Sequence, residues 1–245
     1  FCFVEGTPAF RPRGFHFQRE RRLFFLAMIK ENVYGIRQRI LKVCSKINQD
    51  PGKITIIAVS KGRSAEEIKE AIAAGITDIG ENKIQEAIAK HKELSTIDYR
   101  LSTVKWHMVG HLQTNKVKDA VKIFDLIQSV DSVRLAEEID KQADKINKIQ
   151  DILIEIKTSP EESKFGLKAD EAIEVIEDIV KLKNINIKGL MTIAPLVDNP
   201  EKTRPYFRLL RELRDRVNEL RVLSMGMTDD FQIAIEEGSN MIRLG

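Results

Sequence analysis

The segment ITIIAVSKGRSAEEIKEAIAAG, residues 54–75, contains one predicted strand and one predicted helix. Residues 54–60 are apolar on both parities, which predicts a strand that is buried on both faces. Ser64 is suited to cap the helix that follows, Glu67 would complete a capping box, and Gly75 marks the helix end. The segment is therefore a β/α unit, the element from which parallel sheets are built.

The same unit recurs along the rest of the chain. Strands are predicted at 54–60, 77–80, 105–111, 125–131, 151–159, 185–194, 222–227 and 240–245. Helices are predicted at 64–75, 82–94, 114–124, 132–146, 168–182, 199–217 and 229–238, and one more helix, at 29–48, precedes the first strand. Strict alternation of strands and helices predicts a parallel sheet. Eight such units favour a single (β/α)8 TIM barrel with an extra N-terminal helix over an open, doubly wound α/β sheet.

The composition is that of an ordinary globular protein, with 42% hydrophobic residues, 31% charged residues and a net charge of +3. A net charge this small does not indicate a nucleic-acid-binding domain, which would carry a basic stripe. No apolar run approaches the roughly 20 residues of a membrane span. Cys2 and Cys44 are too few for a disulfide framework and do not have metal-ligand spacing. We therefore expect a reducing, cytoplasmic compartment.

Residues 1–27 differ from the rest of the chain. They are rich in arginine and aromatic residues and show little helix or strand periodicity. The segment is basic, as transit peptides are, but it contains Glu5 and Glu20 and little serine. We predict a non-native or disordered leader at 1–27 and a barrel domain at 28–245.

Lys61 lies at the end of the first predicted strand, between Ser60 and Gly62. In TIM barrels the functional residues lie at the carboxyl ends of the strands. A lysine in the barrel mouth is expected to be partly desolvated, and desolvation favours the neutral amine that forms a Schiff base. The alternative is an exposed surface lysine, and the residues alone leave both interpretations open.

Glycines and a hydroxyl follow the last two predicted strands. Ser224, Met225 and Gly226 belong to the seventh strand and its exit, and Gly245 follows the eighth. In TIM barrels these two loops often bind a phosphate through backbone N–H groups and a hydroxyl. The alternative is that the glycines are ordinary turn residues, but their joint occurrence in this pair of loops favours a phosphate site.

Charged and imidazole side chains on the predicted strands need partners. Arg243 on the last strand requires an acceptor if it is buried, either a ligand or a carboxylate such as Glu155. His107 and His111 lie four residues apart on one strand, roughly 13 Å, too far apart to share a metal ion. We expect His107 to be a hydrogen-bonded core histidine and His111 to line the barrel mouth.

Seven segments of the chain match, in order, a family of known proteins. They are AVSKG (58–62), GENKIQEA (80–87), WHMVGHLQTNK (106–116), KFGL (164–167), KGLMTIAP (188–195), LSMGMTDDFQIAI (223–235) and GSNMIRLG (238–245). On these segments the chain resembles the pyridoxal phosphate homeostasis proteins, also called the YggS or PROSC family, which are related to the alanine racemase barrel. Thr228 stands where a serine is common in that family.

The resemblance implies a pyridoxal 5'-phosphate site at the barrel mouth. The implied cofactor-binding residues are Lys61, Asn82, His111, Met191, Ser224, Met225, Gly226, Arg243 and Gly245. Lys61 would hold the cofactor as a Schiff base. The loops at Ser224, Gly226 and Gly245 would hold its phosphate, and Arg243 would face its pyridine nitrogen. Asn82, His111 and Met191 would lie near the cofactor ring.

The resemblance also implies a role in holding the cofactor. A guanidinium keeps its own proton, so a pyridine nitrogen that faces Arg243 stays unprotonated and the ring is a weaker electron sink. Racemisation needs acid–base groups on both faces of the substrate, and in alanine racemases the second group comes from a separate β domain. The resemblance therefore implies a protein that binds, buffers and supplies pyridoxal phosphate in the cell.

Two enzymatic alternatives remain open from the sequence. One is a pyridoxal-phosphate-dependent amino-acid racemase or lyase, and the other is a cofactor-free Schiff-base aldolase on the same barrel. The family resemblance further implies a monomer that makes transient contacts with pyridoxal-phosphate-dependent apoenzymes. Neither nucleic acid nor a membrane is an expected partner.

Overall fold

A computed structural model describes residues 14–95, 103–159, 161, 165–217 and 219–245, with side chains described from Met28 onward within these ranges. The strands are β1 (Thr55–Val59), β2 (Asp78–Glu81), β3 (Lys105–Met108), β4 (Leu126–Val130), β5 (Gln150–Lys157), β6 (Leu167–Lys168), β7 (Ile185–Met191), β8 (Val222–Ser224) and β9 (Met241–Leu244). The helices are α1 (Gly14–Lys46), α2 (Ala65–Ala73), α3 (Ile84–Ser95), α4 (Val117–Ile123), α5 (Val133–Asp144), α6 (Ala172–Ile179), α7 (Arg204–Asp215) and α8 (Phe231–Glu236). Short 3-10 helices span Pro51–Lys53, Thr114–Lys116 and Pro200–Thr203.

The parallel sheet closes on itself. Its order is β1, β2, β3, β4, β5, β7, β8 and β9, and β9 pairs back onto β1. Residue Ile57 of β1 lies beside Asp78 on one side and Arg243 on the other. The two-residue strand β6 pairs with β5 outside this ring. The predicted (β/α)8 barrel with an additional N-terminal helix is confirmed.

The strands are buried on both faces because the barrel interior lies on one side and the helices lie on the other. An interior cluster is formed by Ile57, Leu126, Leu153, Met191 and Met241. Ile79, Ile127 and Ile154 belong to the larger cluster, which includes the apolar faces of the helices. This two-sided burial explains why the strands are apolar on both parities.

Helix α2 begins as the sequence predicts. The Ser64 hydroxyl accepts a hydrogen bond from the Glu67 N–H, and the Glu67 carboxylate accepts one from the Ser64 N–H across 2.8 Å. These two bonds satisfy backbone donors that a helix start leaves without partners. Gly75, with a φ of 87°, ends the unit.

Helix α1 begins earlier than the predicted residue 29. Its backbone is helical from Gly14, because residues 17–27 are mostly strong helix formers such as Gln, Arg, Leu and Ala. Its apolar side packs Val43 and buried Cys44 against Phe231 of α8 and Ile242 of β9. Residues 1–13, including Cys2, lie outside the described part, so the boundary between a leader and the barrel stays a prediction.

A smaller difference concerns the start of a helix. Helix α8 begins at Phe231 rather than at 229, because Asp230 accepts a hydrogen bond from the Met227 N–H and closes a turn before the helix. Lys164 of the KFGL segment is outside the described residues. Among the helices that are described, none is long and apolar enough to cross a membrane.

Candidate functional site

Lys61 lies in a tight turn directly after β1. The N–H of Arg63 donates to the carbonyl of Ser60 across 2.9 Å, and Gly62 takes the positive φ of 70° that such a turn requires. The Lys61 side chain is exposed. The turn carries the residue past the packed end of the strand, and the expected partial desolvation of the amine stays a prediction. Its amine is left accessible to a molecule that enters from solvent.

Gly245 lies beside this turn. Strands β1 and β9 pair with Ala58 opposite Leu244, which places Gly245 next to Val59 at the same end of the barrel. A Cβ added at Gly245 would lie 3.1 Å from the carbonyl oxygen of Val59. The missing side chain thus keeps the backbone between the two strand ends open to close approach.

Arg243 is 4% exposed and faces neutral oxygen acceptors. One guanidinium N–H donates to Ser224 Oγ across 2.6 Å, and another donates to the carbonyl of Thr192 across 2.8 Å. Burial lowers the pKa of Arg243 to about 10, and the charges of Glu155 and Asp230 oppose that change. The guanidinium is therefore protonated at neutral pH. Glu155, the predicted carboxylate partner, acts through its charge, and the hydrogen-bond acceptors described are Ser224 and Thr192.

A chain of buried hydrogen bonds continues from Ser224 across the barrel interior. Ser224 Oγ donates to Gln128 Oε1 across 2.6 Å, and Gln128 Nε2 lies 3.1 Å from His107 Nδ1. His107 Nε2 lies 2.8 Å from Asp78 Oδ1. Because the Gln128 amide nitrogen is a donor, His107 accepts at Nδ1 and donates its Nε2–H to Asp78. The prediction that His107 is a hydrogen-bonded core residue is confirmed.

The Asp78 carboxylate ends this chain and is stabilised in its charged form. Burial alone would raise its pKa, but hydrogen bonds from His107 and Thr77 outweigh burial and lower it. Asp78 and His107 are both buried. The pair therefore places a negative charge in the barrel interior, at the far end of the chain from Arg243.

His111 and two carboxylates lie near the carboxyl ends of β3, β4 and β5. The His111 ring stacks on Phe165 with centroids 3.9 Å apart, and its Nδ1 lies 3.4 Å from Asp131. Burial, and then the charge of Asp131, raise the pKa of Glu155 to about 7, whereas Arg243 opposes the change. The His111 side chain is 35% exposed, as expected for a residue at the mouth.

The remaining predicted site residues differ in what they can offer a ligand. Met191 is fully buried in the interior cluster, and Met225 is fully buried in the larger cluster. Gly226 has a φ of 95°, and its carbonyl accepts from the Arg243 N–H. Asn82 is half-buried at the exit of β2. Met225 and Gly226 therefore offer backbone groups rather than side chains.

Thr228 is a site candidate that sequence reasoning noted only as a departure from the family. It is exposed in the loop between β8 and α8, whereas the Ser224 hydroxyl is buried and has hydrogen-bond partners on both sides. Thr228 thus carries the accessible hydroxyl of the two. Its place between a strand-exit glycine and an acidic pair was the available signal, but hydroxyl residues are common in turns.

A groove of about 740 Å³ adjoins the mouth. Its walls come from α1, α2 and the outer faces of β1 and β9, and it reaches the mouth at Ser60, Thr228 and Gly245. Most of its lining is apolar. The groove therefore differs in chemistry from the charged set around Arg243, which lies inside the barrel.

The chain is similar in sequence and in fold to known proteins over most of its length. The model of the alanine racemase N-terminal domain family matches residues 29–245. A pyridoxal phosphate homeostasis protein of Aquifex aeolicus is 40% identical over 220 residues, which are 88% of this chain and 94% of that protein. The structure of PipY from Synechococcus elongatus PCC7942 with PLP bound has a TM-score of 0.72 and 36% identity, and covers 84% of this chain and 97% of its own. An alanine racemase of Clostridium difficile 630 shares the fold, with a TM-score of 0.69 at 16% identity over 88% of this chain and 55% of its own.

Proposed function

The chain belongs to the alanine racemase N-terminal domain family and, within it, to the pyridoxal phosphate homeostasis proteins, and we propose that it binds pyridoxal 5'-phosphate and serves the intracellular supply of that cofactor. The observation that carries the proposal is the placement of Lys61 and Gly245 on neighbouring strand ends. An accessible amine there stands beside backbone that a small anionic ligand can approach.

The residues present fit the chemistry of this cofactor. When bound, pyridoxal phosphate supplies an aldehyde that condenses with an amine and a ring that withdraws electrons. Lys61 offers an exposed amine, and Thr228 offers an exposed hydroxyl in the loop after β8. The hydrogen bonds of Arg243 go to neutral oxygens, so its positive charge is not consumed by a direct carboxylate bond. The site thus combines an amine, a hydroxyl and a cation.

The residues favour holding the cofactor over rapid turnover. Arg243 has only donors, so it offers the ring nitrogen a hydrogen bond without transferring a proton to it. A ring nitrogen that stays unprotonated leaves the bound cofactor a weaker electron sink, which supports storage and supply of the cofactor as the main role.

Several finer points belong to the same proposal. We propose a monomer that contacts pyridoxal-phosphate-dependent apoenzymes transiently, in a cytoplasmic location. We also propose that residues 28–245 form the cofactor-binding domain and that residues 1–27 are a leader outside it. Light scattering during size-exclusion chromatography tests the monomer, and a dimer mass at micromolar concentration would contradict it.

Borohydride reduction tests the cofactor site directly. The protein is loaded with pyridoxal phosphate and reduced, and peptide mass spectrometry then locates the modified lysine. We expect the label on Lys61 and its loss in Lys61→Ala. The matched control is Lys53→Ala, because Lys53 is also exposed but lies at the opposite end of β1. A label that stays on another lysine in both variants would overturn the assignment.

A further inference from the structure

The turn that carries Lys61 is held from one side by helix α3. The carbonyl of Ser60, just before Lys61, accepts a hydrogen bond from Lys90 Nζ across 2.5 Å. The N–H of Gly62, just after Lys61, donates to Glu86 Oε2 across 3.2 Å. The two peptide groups that flank the Lys61 Cα atom are therefore both bound by side chains of one helix.

Glu86 and Lys90 can act together because they are four residues apart on α3 and share one helix face. Lys90 Nζ lies 3.6 Å from Glu86 Oε2. Lys90 is in turn anchored by Glu81, whose Oε1 accepts from Lys90 across 2.6 Å and from the Ser60 hydroxyl across 2.5 Å. Since Glu81 is fully buried on strand β2, it anchors Lys90, and with it the hydrogen bond to the Ser60 carbonyl, to the barrel.

An ordinary surface ion pair does not account for this arrangement. Exposed pairs at this spacing contribute little to stability, whereas the Lys90 side chain is 11% exposed. Neutralising Glu81 explains why a lysine stands at position 90, but it does not explain Glu86. Glu86 also lies 3.9 Å from Lys83 Nζ on the helix surface, but its hydrogen bond from the Gly62 N–H joins it to the turn, and that bond is the main reason that the pKa of Glu86 is lowered.

We propose that Glu86 and Lys90 are positioning residues that fix the backbone on both sides of Lys61 and thereby orient its amine for attachment of the cofactor. The inference rests on the proposed function, in which Lys61 is the attachment site. A lysine side chain has four rotatable carbon–carbon bonds, so a fixed Cα position restricts where its amine can reach. Glycine at 62 makes the turn possible but also leaves it flexible, which is why two external bonds matter.

Variants of Glu86 test the proposal without disturbing the buried pair. Glu86→Gln keeps an oxygen acceptor for the Gly62 N–H, and Glu86→Leu removes it. We expect attachment of pyridoxal phosphate to the apo protein, followed by absorbance, to slow roughly fivefold in Glu86→Leu, the scale of one lost hydrogen bond of about 1 kcal/mol. Glu86→Gln should retain the wild-type rate within about twofold. Lys92→Leu, an exposed change on the same helix, is the matched control.

Amide hydrogen exchange at Gly62 reports on this turn independently of the global stability of the protein. Exchange should accelerate in Glu86→Leu and stay slow in Glu86→Gln and Lys92→Leu. Lys90 is tested with the pair Glu81→Gln and Lys90→Met, because Lys90→Met alone leaves a buried carboxylate without its partner. The double variant should slow attachment as Glu86→Leu does.

The outcomes separate this inference from the proposed function. A borohydride label on a lysine other than Lys61 in the wild-type protein would remove the proposed attachment site itself. A label on Lys61 in all variants, with equal attachment rates in the wild type and Glu86→Leu, would leave that site standing and overturn the positioning role. Slow attachment in Glu86→Leu with rescue in Glu86→Gln supports it.

Discussion

The guanidinium of Arg243 donates a hydrogen bond to the Ser224 hydroxyl across 2.6 Å, and every bond that continues from Ser224 points in the same direction. The hydroxyl donates to Gln128, the Gln128 amide donates to His107, and the imidazole donates to Asp78. A cation and an anion thus lie at opposite ends of one aligned chain inside the barrel. Aligned hydrogen bonds in a low-dielectric interior polarise one another, so the orientation of Arg243 depends on residues that lie far from the mouth.

Replacing Ser224 by alanine breaks this chain at its second member. Arg243 loses an acceptor and Gln128 loses a donor, and both side chains are buried. We expect the free energy of unfolding to fall by about 2–4 kcal/mol, because each buried polar group left unpaired costs about 1–3 kcal/mol. Urea unfolding measures the change. Ser45→Ala, at an exposed position of α1, should stay within about 0.5 kcal/mol of the wild type.

Replacing His107 by leucine should make stability depend on pH through Asp78. The folded protein lowers the pKa of Asp78, so this carboxylate contributes stability above its unfolded pKa that is lost as pH falls through the folded pKa. Without His107 its largest donor is gone, and burial then opposes the charged form. We expect a loss of about 3 kcal/mol at pH 7 and a clearly smaller loss near pH 4. Urea unfolding at both pH values measures the difference.

The control for this pH effect is the double variant His107→Leu and Asp78→Asn. It has neither the carboxylate at position 78 nor the imidazole at position 107, so His107→Leu should lose stability relative to this double variant as pH rises from 4 to 7, and Asp78 alone accounts for that change. If His107→Leu lost the same free energy at pH 4 and pH 7, Asp78 would not be the group responsible.

Most of the fold could be predicted from the sequence because each barrel strand must be apolar on two faces. The two-residue strand β6 was missed because it is too short to show a period, and the early start of α1 was missed because residues 14–27 lack a regular apolar face. The site was predicted in outline because the carboxyl ends of parallel strands meet at one end of a barrel.

The interior hydrogen-bond chain was not predictable in the same way. Ser224 and Gln128 are 96 positions apart, and their contact depends on the register of strands that are not neighbours in sequence. One signal was present, since Gln128 is a polar residue inside the apolar strand β4. A buried amide needs partners, but the sequence does not say which side chains supply them.

Glu155 should make the apo protein less stable as pH rises. Burial and Asp131 raise its folded pKa to about 7 from 4.5, so its contribution is complete below about pH 4.5 and is lost as pH rises through the folded value. We expect Glu155→Gln to be more stable than the wild type at pH 8 by on the order of 3 kcal/mol, since one pKa unit corresponds to about 1.4 kcal/mol. Near pH 4.5 the two proteins should unfold alike. Thermal unfolding across this range checks the sign, and a variant that is less stable at pH 8 would show that Arg243 needs this carboxylate.

Gly110 offers a test of the packing between the exits of β2 and β3. A Cβ added there would lie 2.4 Å from the carbonyl oxygen of Asn82, a backbone atom that cannot rotate away. The Gly110 carbonyl is also held by the Ser129 hydroxyl across 2.6 Å, so the loop cannot shift freely. We expect Gly110→Ala to lower the free energy of unfolding by about 1–3 kcal/mol and to weaken pyridoxal phosphate binding by displacing Asn82.

The matched control is Gly35→Ala on α1. A Cβ added at Gly35 meets no atom within 4 Å, so alanine should stabilise the helix by about 0.5–1 kcal/mol and leave cofactor affinity unchanged. Thermal unfolding and titration with pyridoxal phosphate compare the two variants. If Gly110→Ala were as stable as the wild type but bound the cofactor weakly, the fold would tolerate a displacement of Asn82, and Asn82 would be a cofactor-binding residue. If affinity were unchanged while stability fell, the expected weakening of cofactor binding through Asn82 would be contradicted.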